Sequence, residues 1–135
     1  MARLAVLSYH TSPLAQPGTG DGGGMNVYVR EMGAALARQG HTVDIYTRRD
    51  NPSQRDAVMV EPGLTVHHVT AGPTTPLPMS ELVSLVDDFA RSVSVLIRCQ
   101  ELPDVIHANY WLSGTAGHFL KHELGIPLIM TFHTL

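Results

Sequence analysis

The stretch most able to do chemistry is HTSPLAQPGTGDGGGMNVYVREM, residues 10–32. Gly22, Gly23 and Gly24 stand directly before a helix-like run, so unhindered N–H groups and the positive end of a helix dipole would face whatever is seated there. That arrangement favours an anion such as a phosphate; the plain alternative is a flexible surface loop. Gly18 to Gly23 also spells G-x-G-x-x-G, the pattern that brings a backbone close to a pyrophosphate. Its spacing argues against a dinucleotide, because the first glycine should follow the strand almost at once and HTSPLAQP intervenes. Asp44 lies inside HTVDIYT rather than at its end, and Arg48 and Arg49 would at best address a 2′-phosphate. An NADP-binding oxidoreductase domain is therefore the weaker alternative.

A second set of polar side chains follows the apolar runs. His10 comes after RLAVLSY, the group His107, Asn109, Tyr110 and Trp111 spans the end of DVIHAN, and His133 and Thr134 follow PLIMTF. Any one of them is compatible with a scaffold role; together on one rim they exceed what a plain core needs. Paired carboxylates of the glycosidase kind are absent from this set. Asp21 is its only obvious acid, so general-base chemistry would fall to Asp21 or a histidine. Other clusters read more simply. His118 and His122 are spaced i, i+4 but lack the glutamate of H-E-x-x-H and a third ligand, so no metal site is expected. His67 and His68 alternate along a strand, and Asp87-Asp88 is a polar helix face with Asp87 in reach of Arg91. Trp111 can stack on a sugar or pack against the core.

These residues need elements to hold them, and the chain supplies an alternating series. RLAVLSY reads as a buried strand; MNVYVREMGAALARQG is helical, with Met25, Val29, Met32 and Leu36 on one face and Gly40 as C-cap. HTVDIYTR is a second strand. After the polar turn RDNPSQRD, the signal Pro62-Gly63 opens a third strand, LTVHHVT, expected at an edge. One long amphipathic helix then sets Leu82, Leu85, Val86, Phe89, Val93, Leu96 and Ile97 on one face, with Ser80 as N-cap and Cys99 within the same apolar pattern. DVIHAN is a strand, LSGTAGHFLKHELG a helix stopped by glycine, and PLIMTFH a last strand. The order β-α-β-β-α-β-α-β belongs to an α/β fold, a doubly wound, mostly parallel Rossmann-like sheet with helices on both faces. Ligands of such sheets sit outside the carboxyl ends of the strands, where the strand order reverses.

Composition limits the partners. A chain of 135 residues, 44% hydrophobic with mean hydropathy +0.04, can bury one core, so residues 1–135 are expected to form a single domain or a piece of one. A net charge of −3 without a basic cluster beyond Arg48-Arg49 offers no face for nucleic acid or anionic lipid. The single cysteine, Cys99, excludes an internal disulfide, and the amino-terminal apolar run is too short for a signal peptide or membrane span. The cytoplasm is the expected compartment.

The segments HTSPLAQPGTGDGGGMNVYV, AGP, HANYWLSG and TFHTL together resemble the amino-terminal half of retaining, two-Rossmann-domain (GT-B) glycosyltransferases of family four. The similarity is strongest to the branch that glycosylates inositol 3-phosphate and, more distantly, to sucrose-phosphate synthases. It implies the acceptor side of an interdomain cleft, with a nucleotide-diphosphate sugar as co-substrate, no tightly bound cofactor, and a separate carboxyl-terminal Rossmann domain for the donor. Under this resemblance His10, Gly22, Gly23, Met25, Asn26, Tyr110 and Thr134 match acceptor-binding positions, Tyr110 and Thr134 those that take the acceptor phosphate. Gln16, Pro17 and Gly24 match donor-side positions, and Asp21 and His133 are the catalytic candidates. Where the phospho-acceptor enzymes carry a lysine after AGP, this chain has Met79, which leaves the acceptor open. A folded but inactive domain that self-associates as a homo-oligomer is a further alternative.

Overall fold

The structure is a computed structural model and describes residues 1–15 and 24–133. The elements run β1 (Arg3–Leu7), α1 (Met25–Arg38), β2 (Thr42–Arg48), β3 (Ala57–Glu61), β4 (Leu64–Val69), α2 (Met79–Ser84), α3 (Val86–Arg98), β5 (Val105–Asn109), α4 (Trp111–Leu124) and β6 (Leu128–Thr131). They build a six-stranded sheet in the order β3-β4-β2-β1-β5-β6, parallel throughout except for the β3–β4 hairpin. The central strand β1 is a near-continuous apolar run because both faces of the sheet are covered there. Val6, Val43, Ile45, Leu64 and Val66 pack under α1 with Val29 and Ala34, while Leu7, Ile106 and Ala108 pack under α3 and α4 with Phe89, Val93, Ile97 and Leu120. Among the described residues no helix is long and apolar enough to cross a membrane.

Several local expectations are corrected. The strand LTVHHVT is not at the edge: AVMVE forms β3, which pairs antiparallel with β4 and takes the outer position. The long helix is two, α2 and α3, divided at Leu85, whose side chain lies against the turn at Gly72. A Cβ on Gly72 would come within 2.6 Å of Leu85 Cδ1, so tertiary packing sets this bend. Pro78, not Ser80, precedes the first turn, and Arg91 reaches Asp88 at 3.5 Å rather than Asp87. Leu96 points outward, 39% exposed, and Cys99 is an exposed C-cap. Gln39 is the C-cap of α1; Gly40 follows it with φ +99°, a backbone state that glycine adopts without strain.

The strand order places the site. From β1 the chain goes to β2 on one side and, after α3, to β5 on the other, so the order reverses between β1 and β5. Leu7 pairs with Ala108, and Asn109 pairs with Thr131, so the segments leaving β1, β5 and β6 emerge at one level.

Candidate functional site

At that rim the residues that sequence placed on separate strand ends meet. The His10 ring lies on the Tyr110 ring with centroids 4.5 Å apart. Tyr110 holds φ +75°, the one non-glycine residue with positive φ among those described, and its N–H donates to the Thr131 carbonyl at 3.0 Å. A tyrosine in that region carries strain of about 1 kcal/mol, and such strain concentrates at ligand sites. Behind it Asn109 is fully buried, its Oδ1 3.0 Å from His133 Nε2. His107 Nε2 lies 2.7 Å from Thr131 Oγ1. Burial, and next the neighbouring His133, push His107 below the usual imidazole range; burial does the same to His133. Both rings are therefore neutral near pH 7. Tyr28, from the second turn of α1, meets His133 edge-on at 5.1 Å.

The start of α1 forms the facing wall. Gly24 is its N-cap, exposed, and a Cβ there would meet nothing within 4 Å, so the first-turn N–H groups can be approached closely. The Met25 side chain is core, 8% exposed. Asn26 is buried and its amide donates to the Ala15 carbonyl at 2.9 Å, tying the entry of the glycine loop to the helix. Gln16, Pro17, Asp21, Gly22, Gly23 and Thr134 lie outside the described residues.

Next to His10 opens a cavity of about 540 Å³, lined by Ser12, Thr47, Gln54, Arg55 and Met79 among others. That volume suits a small ligand. Its floor is polar and fully committed. Tyr9 donates from its hydroxyl to the Leu82 carbonyl at 2.6 Å, and burial raises its phenol to about 12. Arg48, 4% exposed, donates to the carbonyls of Ala71 at 2.8 Å and Thr75 at 3.0 Å and to that of Pro73. It thereby shapes the segment that carries Met79, whose half-buried side chain packs on the core.

These commitments correct the dinucleotide alternative at its cation. Arg48 is turned inward onto carbonyls, and Arg49 is held by Asp56, the Gln54 carbonyl and the His68 carbonyl, so neither is presented to a 2′-phosphate. Asp44 sits mid-strand, 7% exposed, 2.9 Å from His67 Nε2 and 3.4 Å from Arg3 Nη2. His68 is buried on the Arg55 carbonyl. The His118 and His122 rings touch on the outer face of α4, and no group of three or more metal-binding side chains occurs among the described residues. Trp111 is 45% exposed beside Tyr110, which leaves its face open to a ligand. Sequence reasoning did not single out Tyr28 or Thr131 for this site and read Arg48 only as a candidate for a 2′-phosphate; their contacts exist only through strand pairing, the docking of α1 and the folding of the 71–75 segment.

The comparisons agree with this geometry. The profile described as a glycosyl transferase 4-like domain matches residues 23–135. A D-inositol 3-phosphate glycosyltransferase of Corynebacterium diphtheriae is 50% identical over 98% of this chain and 31% of its own length. One of Pseudarthrobacter chlorophenolicus is 47% identical over 98% and 32%. Sucrose-phosphate synthase from Thermosynechococcus elongatus superposes with TM-score 0.94 at 32% identity, over all of this chain and 34% of that one. The chain thus spans about a third of the length of these relatives. With its doubly wound sheet, switch-point rim and the helix start at Gly24, the chain belongs to the family of glycosyl transferase 4-like domains and has the fold of one half of a GT-B enzyme.

Proposed function

We propose that this chain is the acceptor-side domain of a retaining glycosyltransferase that moves a sugar from a nucleotide-diphosphate donor, a UDP-sugar, to a small polyol, sugar or sugar or inositol phosphate. The observation that carries this reading is the juxtaposition of the open helix start at Gly24 with the His10, Tyr110 and His133 rim and its adjoining cavity. The relatives are named for transfer to inositol 3-phosphate, which supports an acceptor of that chemical class. Met79 in the cavity wall supplies no charge for a phosphate, so an acceptor phosphate would draw on Tyr110, Thr134, the exposed Arg55 that also lines the cavity, or a cation outside this chain.

In this reading the N–H groups of Gly22 to Gly24 and the α1 dipole stabilise charge that develops on the leaving diphosphate. Asp21 orients the acceptor hydroxyl, whose proton passes to the donor phosphate, and no protein carboxylate serves as nucleophile. A second Rossmann domain holds most of the donor, so this chain alone turns over little. The test is an amide-resolved NMR titration of the chain with a UDP-sugar, myo-inositol 3-phosphate and NADPH in parallel. Saturable shifts at Gly24, Tyr110 and Thr134 with either of the first two, and none with NADPH, are expected. A response to NADPH alone would overturn the reading, and so would undiminished turnover by an Asp21→Ala form of the two-domain enzyme.

A further inference from the structure

We propose that Asn109 is a positioning residue: it holds His133 as the neutral ring protonated on Nε2, so that Nδ1 is the ring's hydrogen-bond acceptor. Asn109 is 0% exposed, and its amide has a donor end and an acceptor end that a fold can set either way round. The Leu7 carbonyl decides which. It lies 3.5 Å from Asn109 Nδ2, and a carbonyl can only accept, so the NH₂ end faces β1 and Oδ1 faces His133. The reverse setting would press two buried oxygens together and leave the Leu7 contact uncompensated. Oδ1 in turn only accepts, so the Nε2 that meets it at 3.0 Å carries the hydrogen.

The surroundings keep that ring neutral. The titratable groups beside it among the described residues are His107 on β5, itself held neutral by burial, and Tyr28 on α1 in edge contact. The Thr131 Oγ1 hydroxyl is paired with His107. A neutral His133 with Nδ1 as acceptor receives a hydrogen bond from a ligand hydroxyl and cannot donate a proton at that atom. This consequence for a sugar or polyol rests on the proposed function; the ring state does not.

The ring state is read directly, with no substrate present. Long-range ¹H–¹⁵N correlation spectra of the ¹⁵N-labelled chain at pH 7.5 tell the two ring nitrogens of His133 apart, because Nε2 couples to both carbon-bound ring protons. The expected result is a single tautomer with a slowly exchanging Nε2–H signal. Protonation on Nδ1, or a rapidly exchanging mixture of both forms in the native chain, overturns the proposal whatever any variant does. Asn109→Asp keeps the shape and converts the acceptor to a carboxylate. With its amide spectrum native-like, the His133 titration midpoint should rise by at least one pH unit; an unchanged midpoint overturns the proposal too. Turnover plays no part in either readout, so failure here is distinct from failure of the transferase reading.

Discussion

Tyr110 shows how a single residue can serve a site at the expense of its own backbone. At φ +75° it stands at the corner where β5 ends and α4 begins, its N–H spent on Thr131 and its ring on His10. Ala and Gly at this position remove the same ring, but only Gly relieves the left-handed backbone. Tyr110→Gly should therefore be more stable than Tyr110→Ala by about 0.5 to 1 kcal/mol in urea denaturation, even though glycine carries the larger unfolded-state entropy. The opposite ranking would mean that the ring, not the chain path, dictates this corner. His10, Tyr110 and His133 were legible from sequence as strand-end residues; that Asn109 links β1 to His133 was not, since one side chain on two partners has no signature in spacing.

Helix α3 marks the limit of periodicity as a guide to elements. Its apolar stripe is plain in the sequence, and Phe89, Val93 and Ile97 are fully buried as the spacing requires. Leu96 sits one step, about 100°, from Ile97 and is turned off the buried stripe toward solvent, outside the core cluster that holds Phe89, Val93 and Ile97. Ile97→Ala should cost about 3 kcal/mol through lost burial and a cavity, whereas Leu96→Ala should cost less than about 1 kcal/mol. Comparable losses at both sites, measured by equilibrium unfolding, would contradict this register. The bend at Leu85 and the strand β3 escaped for related reasons. Leu85 is an ordinary helix former whose bend is set by Gly72 a dozen residues upstream, and AVMVE is a short strand whose outer face, with Met59 exposed, carries little periodic signal.

For the whole molecule, the buried histidines couple stability to pH. His107 is held below its unfolded pKa of about 6.5, so above that pH both states are unprotonated and its full contribution is present. As the pH falls below about 6.5 the unfolded chain takes up a proton that the folded chain refuses, and stability drops until the depressed folded pKa is reached. The urea midpoint should thus fall between pH 7.5 and 5.5, and His107→Gln should flatten that slope. An identical slope in the variant would assign the dependence to other groups.

By itself the sequence determined the alternation of elements, the two-faced parallel sheet, the helix-start glycines and the rim on which a ligand would sit, because each follows from local periodicity and from the handedness of strand–helix–strand units. The motif similarity likewise pointed to the family that the profile match establishes. Only the tertiary structure decided that β4 lies inside the sheet, that Arg48 is spent on the 71–75 carbonyls rather than offered to a phosphate, and that Asn109 faces Leu7 and His133 together. These are contacts between residues far apart in the chain. The energy that selects them comes from burying polar groups only where a partner waits, and that partner is in place only after the strands have paired.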